Sequence, residues 1–246
     1  MIFLFFWSTI VYNAIAYWHW APNGWLRTLG VLDYAGGAPV HICSGFSALA
    51  YALAVGPRKT VDHANYKPSS ISDIFLGTCL NWFGWFGFNG GSEVAMNARA
   101  VNAIVVSNIA ASFGGLAWMF TAMAFNRTHK MSLVGFCNGA MCGLVCITPG
   151  SGFVSPHYAV VFGISSGVIC FFACFISKLT KYRYDDACDV FAVHGVGGSV
   201  GCFLTGVFAE KEIGTMSGGA AIPGGWVDGN VNSFFKYHLS YFVVSF

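Results

Sequence analysis

Two histidines set in apolar sequence are the residues of this chain best suited to chemistry. His194 lies in C-D-V-F-A-V-H-G-V-G-G-S-V-G-C (Cys188–Cys202), within an apolar run from about Ala187 to Ala209 that carries one acid, Asp189, and one imidazole. His41 lies in L-D-Y-A-G-G-A-P-V-H-I (Leu32–Ile42), eight residues after Asp33. A pair of imidazoles can share a proton, ligate a metal or haem, or line a pore. Ionisable groups in a membrane-length segment are costly, and they usually face a cavity, a partner or a transport path. The plain alternative is that each is a core histidine satisfied by its neighbours. Gly197 and Gly201, four residues apart, give the His194 helix a thin face that another helix can approach closely.

The elements that must position these residues follow from composition. Of 246 residues, 56% are hydrophobic and only 9% are charged. Soluble domains are nearer a quarter charged, so lipid is the expected solvent. A net charge of +2 gives no reason to expect a nucleic-acid partner. The nine cysteines include no C-x-x-C pair and sit mostly in apolar runs, where they read as small buried residues, not as a metal site or disulfide framework. The apolar start lacks the basic leader and small-residue cleavage site of a signal peptide.

Crossing ~30 Å of hydrocarbon takes roughly 20 apolar residues in a helix. Seven stretches qualify or nearly do: Ile2–Ala21, Tyr34–Val55, Ile74–Ser92, Ala100–Phe125, Met131–Thr148, Tyr158–Ser177 and Ala187–Ala209. Backbone groups in lipid must be satisfied within the segment, so these are predicted helices. Loops after the second, fourth and sixth carry Arg58, Lys59 and Lys67; Arg127 and Lys130; and Lys178, Lys181 and Arg183. By the positive-inside rule these loops are cytoplasmic, which places residues 210–232 outside. Met1 leads straight into a span, and the tail Ser233–Phe246 is too short to cross, so the chain reads as cut at both ends.

With that orientation the second span enters from outside and the seventh from inside. His41 lies eight residues past Asp33 and His194 eight past Asp186, about 12 Å in each case at ~1.5 Å per residue. Two imidazoles at one depth from opposite sides is the pattern of an inverted repeat with its site at the repeat interface. Along N-W-F-G-W-F-G-F-N-G-G-S, residues Trp85, Phe88, Asn89 and Ser92 share a face, and aromatic faces attract cations. Trp82 and Phe83 read as interfacial anchors, and Tyr17, Trp18 and Trp20 as an aromatic belt. Asp33 and Asp189 each head a histidine helix, where a carboxylate can cap the N-terminus.

The segments Leu32–Ile42, G-W-F-G-F-N-G-G-S (Gly84–Ser92) and D-D-A-C-D-V-F-A-V-H-G-V-G-G (Asp185–Gly198) resemble the ammonium transporter family, Amt/Mep/Rh, and most of all its fungal Mep branch. The resemblance implies an all-α membrane fold of eleven helices in two inverted repeats, forming homotrimers with one pore per subunit. It implies that residues 1–246 hold helices four to ten and a stub of the eleventh, seven spans in all. Trp20 and Ser92 then match an outer ammonium recruitment site shaped by Asp33. Trp85, Phe88 and Asn89 line the outer pore, and His41 and His194 form its centre. Asp189, Gly197 and Gly201 stay structural. The second phenylalanine of the family's gate would lie in a helix this chain lacks. The expected function is passage of ammonium or ammonia through an apolar pore of a multi-pass plasma-membrane protein: a transporter, not an enzyme, with no cofactor and no metal. The alternatives are an inactive partial gene product, an ammonium sensor, and an electron-transfer protein holding haem between the histidines.

Overall fold

The computed structural model describes residues 1–59, 68–125, 129–179, 185–218, 221–232, 236 and 243–245. The basic residues Lys67, Arg127, Lys181 and Arg183 lie outside them, as does most of the tail 233–246, and the side chain of Lys178 is likewise not described. Every regular element among the described residues is helical.

Among the described residues, seven helical stretches overlap the predicted spans. Helix α1 runs from Ile2 through a π-helical segment, Ser8–Tyr12, to Trp20. Helix α2 is Gly37–Val55, α3 Ile71–Gly91, α4 Ala98–Phe125, α5 Leu133–Ile147, α6 Pro156–Leu179 and α7 Phe191–Phe208. Four of these, α2, α4, α6 (as Pro156–Ile176) and α7, are long and apolar enough to cross a membrane. Helix α3 has the length, 21 residues, but dilutes its apolar content with Trp, Asn and Gly.

Local sequence sets the boundaries. Ser70 Oγ accepts the Asp73 N–H at 3.2 Å and opens α3, and Ser132 Oγ accepts the Gly135 N–H at 3.1 Å and opens α5. These are N-caps, which satisfy amide donors that the first helical turn leaves unpaired.

Helices α4, α5, α6 and α7 share one core, in which Val106, Ala110, Cys146, Ile147, Phe162 and Leu204 meet. The α4–α5 crossing is closed by Gly143, whose missing Cβ would overlap the Ala110 carbonyl. Small residues at such crossings let backbones touch, which is how helices pack where lipid is as apolar as leucine. The outer face of α3 shows the converse. Leu76, Leu80 and Phe83 form a stripe at helical spacing and are 58%, 65% and 75% exposed. In water that stripe would be an association surface; against hydrocarbon it is matched to its solvent.

Candidate functional site: a crossing of two histidine helices

Helices α2 and α7 both begin as π-helix, over Gly37–Ile42 and Phe191–Val196, and each π segment carries one of the histidines. The two are built alike. Cys43 N–H reaches back five residues to the Ala38 carbonyl, and Gly197 N–H to the Ala192 carbonyl. Each segment is tied at its start by an aspartate eight residues before its histidine. Asp33 accepts the N–H groups of Gly36 (2.8 Å), Gly37 (2.7 Å) and Ala38 (2.7 Å). Asp186 accepts that of Phe191 (2.9 Å). Ala38 and Phe191 hold the same place, three residues before the imidazole.

The Asp186 carboxylate thus ties the start of α7. Asp189, the acid expected to head this helix, adopts φ +52 and offers its carbonyl to the Val193 N–H at 2.9 Å.

The crossing is made by a reciprocal pair of glycines, each four residues after a histidine. A Cβ on Gly45 would overlap the backbone of Gly195, and a Cβ on Gly198 would lie 3.0 Å from both the Gly37 carbonyl and the His41 Cβ. Two helices can therefore touch at the level of their imidazoles. The rings lie 5.2 Å apart between centroids, with His194 Nδ1 3.2 Å from His41 Nδ1. Of the glycines marked in the sequence, Gly201 packs directly on the Cys146 carbonyl of α5, whereas a Cβ on Gly197 would make only ordinary contact, 3.4 Å from Cys170 Sγ.

Trp85 stacks on His41 at 5.5 Å and 16°, and Phe88 lies 5.9 Å from the same ring. The residue that fixes this arrangement, Thr148, escapes sequence reasoning. Its hydroxyl donates to the Leu144 carbonyl at 2.8 Å, so its oxygen is left to accept from Trp85 Nε1 at 3.1 Å and from His41 Nε2 at 3.3 Å. A hydroxyl has one hydrogen, and here it is spent. His41 therefore carries its proton on Nε2 and turns a bare Nδ1 to His194, whose Nδ1–H donates. His194 Nε2 is left as an acceptor. The available signal is a polar residue closing an apolar helix ahead of Pro149-Gly150.

A haem iron held axially between the rings does not fit, because nitrogen ligands on opposite sides of one ion at about 2.0 Å would stand about 4 Å apart, and these stand 3.2 Å apart. Among the described residues no group of three His, Cys, Asp or Glu is placed to hold a metal.

Asn89 is fully buried on α3. Its Nδ2 donates to Ser107 at 2.7 Å, while its Oδ1 has no hydrogen-bond partner. Ser92, exposed, closes the same helix and donates to the Phe88 carbonyl at 2.7 Å. Trp20 Nε1 donates to the Asp33 carbonyl at 3.0 Å, which joins the end of α1 to the mouth of α2. Burial pushes the Asp33 carboxyl up from its ordinary value, opposed by the nearby His19 imidazole and the three amide bonds. Trp82, expected as an interfacial anchor, donates its indole N–H to Asn108 at 3.2 Å. On the other side of the crossing, Arg58 clasps Asp185 with Nε (2.5 Å) and Nη2 (2.8 Å), tying the end of α2 to the approach to α7.

The family model described as Ammonium Transporter Family matches residues 1–246. Ammonium transporter 1 of Schizosaccharomyces pombe is 52% identical over 228 residues, which cover 92% of this chain and 45% of that protein. The crystal structure of Candida albicans Mep2 superposes with a TM-score of 0.91 at 46% identity, covering all of this chain and 54% of that one. Mep2 of Saccharomyces cerevisiae gives 0.92 at 42%, again covering all of this chain and 55% of that one. The chain thus spans about half the length of the curated relatives it matches. Matched along its whole length by that family, it belongs to the ammonium transporters.

Proposed function

We propose that this chain forms the central part of a conduit for ammonium or ammonia, and that His41 and His194 bind the solute midway. The observation that carries the reading is the Nδ1–Nδ1 contact of 3.2 Å between helices that enter the crossing from opposite directions. It leaves His194 Nε2 as a neutral acceptor, suited to a small N–H donor. Trp85 and Phe88 wall the His41 ring and keep the surroundings apolar.

Physical cost then selects the species. Moving a bare monovalent cation into low dielectric costs on the order of 20 kcal/mol in the idealised Born picture. Neutral ammonia is spared that cost. In this scheme ammonium is drawn to the outer mouth at Trp20 and Ser92, under the field of Asp33. It loses a proton there, and ammonia passes Phe88 and Asn89 to the two imidazoles. The protein is placed in the plasma membrane as a homotrimer, with lipid and its own copies as partners. Asp189, Gly197 and Gly201 serve the packing of the histidine helix.

The test is methylammonium uptake into vesicles reconstituted with the protein and with His194→Ala. Uptake that falls at least about tenfold, the loss of a single strong interaction, is the expected result. Equal uptake and unchanged ion selectivity would remove His194 from the mechanism.

A further inference from the structure

Tyr34 follows Asp33 and Glu93 follows Ser92, so each adjoins a residue assigned above to the outer mouth. The two side chains meet. Tyr34 donates its hydroxyl to Glu93 Oε2 at 3.0 Å, and Asn97 Nδ2 donates to Glu93 Oε1 at 2.9 Å. Arg99 Nε stands 2.8 Å from Glu93 Oε2, an ion pair whose side chains are 18% and 7% exposed. The guanidinium lies over the rings of Tyr34 (5.1 Å) and Phe153 (5.4 Å), and its Nη1 donates to the Gly214 carbonyl at 3.0 Å. Tyr34 N–H is bound in turn to the Pro149 carbonyl at 3.0 Å. Four segments that are distant in sequence, around residues 34, 93, 149–153 and 214, are thus gathered on one guanidinium and one carboxylate.

A second observation shows that the gathering holds the backbone in place. Val94, next to Glu93, has φ +56 although it is β-branched and 92% exposed. A β-branched residue in the left-handed region is strained. Such conformations persist only where their surroundings dictate them. The Val94 side chain packs on almost nothing, so the restraint comes from the turn around it, where Val94 N–H bonds the Gly91 carbonyl at 2.9 Å and Glu93 is held by its partners. Glu93 also accepts two hydrogen bonds, one on each oxygen, and is neutralised by Arg99. It is therefore poorly suited to hold a passing cation itself.

We propose that Tyr34, Glu93 and Arg99 form a brace that fixes the spacing of the ammonium recruitment site, acting on Asp33 and Ser92 through the backbone. They are positioning residues and touch no substrate. The inference rests on the recruiting role proposed for Trp20, Asp33 and Ser92. Loosening the brace should weaken capture at the mouth and spare the central crossing.

The experiment is concentration-dependent methylammonium uptake by the full-length protein in vesicles, for the unaltered protein and for Tyr34→Phe, Glu93→Gln and Arg99→Lys. The expected result is a half-saturation concentration raised about fivefold or more, the usual size of coupling between sites, at nearly constant maximal rate per folded protein. Tyr34→Phe removes one hydroxyl and keeps the stacked ring, so it should show the smallest shift. An unchanged half-saturation concentration in Glu93→Gln, or a loss confined to maximal rate, overturns the brace. Failure of the unaltered protein to transport at all overturns the functional reading instead. Hydrogen exchange then decides on the brace alone. Amide exchange over 30–37 and 90–98 should rise together in Glu93→Gln, with 139–146 unchanged, and a rise confined to 90–98 would sink the proposal.

Discussion

The two histidine segments use the same parts unequally. Gly37–Ile42 is tied down by three amide bonds to Asp33, and its imidazole, 2% exposed, is held by Thr148 and stacked under Trp85. Phe191–Val196 is tied to Asp186 through the Phe191 amide, and its imidazole is only partly buried. One ring is fixed in orientation and the other is presented by it. In a site with near two-fold likeness, the difference teaches that the anchored ring sets the geometry and the partly buried ring is held against it.

The comparison can be broken most severely at the glycines. Replacing Gly45 with Val would drive a branched side chain into the Gly195 backbone. Overpacking of that kind costs about 1–3 kcal/mol or more. The folded yield after detergent extraction should drop sharply and uptake should vanish. Thr148→Val should come next. It leaves the N–H groups of Trp85 and His41 without an acceptor, at about 1–3 kcal/mol for each buried donor. Uptake should fall at least about tenfold while the protein still folds, and retention of full activity would show that His41 needs no anchor. Asp33→Asn and Asp186→Asn compare the two ties directly. The first weakens three charge-assisted bonds and the second weakens one, so thermal unfolding should drop more for Asp33→Asn. With N-cap bonds worth ~1 kcal/mol each, equal drops would mean that the unequal bonding has no energetic weight. The smallest effect belongs to Gly197→Ala, whose Cβ would find space at 3.4 Å. It should change stability and uptake little, whereas Gly201→Ala, aimed at the Cys146 carbonyl, should not be tolerated.

Much of this was legible before any coordinates. Length and apolarity locate the helical stretches among the described residues, four of which are long and apolar enough to cross a membrane. The eight-residue spacing of acid to imidazole places the two rings at one level. What escaped has a common physical cause. Thr148 matters through the bonds its hydroxyl has already spent, and those depend on a turn at Pro149-Gly150 and on partners 63 and 107 residues away. Asp186 receives the Phe191 amide across a turn in which Asp189 adopts a left-handed backbone, which apolar periodicity does not report. The π segments escaped for the same reason, since an apolar run reads alike whether its ladder closes at four residues or at five. Gly45 carried no flag because its partner is another glycine's backbone.

Those π segments bear on how the crossing could have arisen. A lone π turn is what an α-helix becomes when it gains one residue and keeps its alignment on either side. Each histidine helix could therefore have acquired its opening π turn through a single inserted codon, with the contacts of the span that follows undisturbed. Loss of one residue from Gly37–Ile42 or Phe191–Val196 would reverse the step, leaving a well-formed span whose ring no longer meets its counterpart.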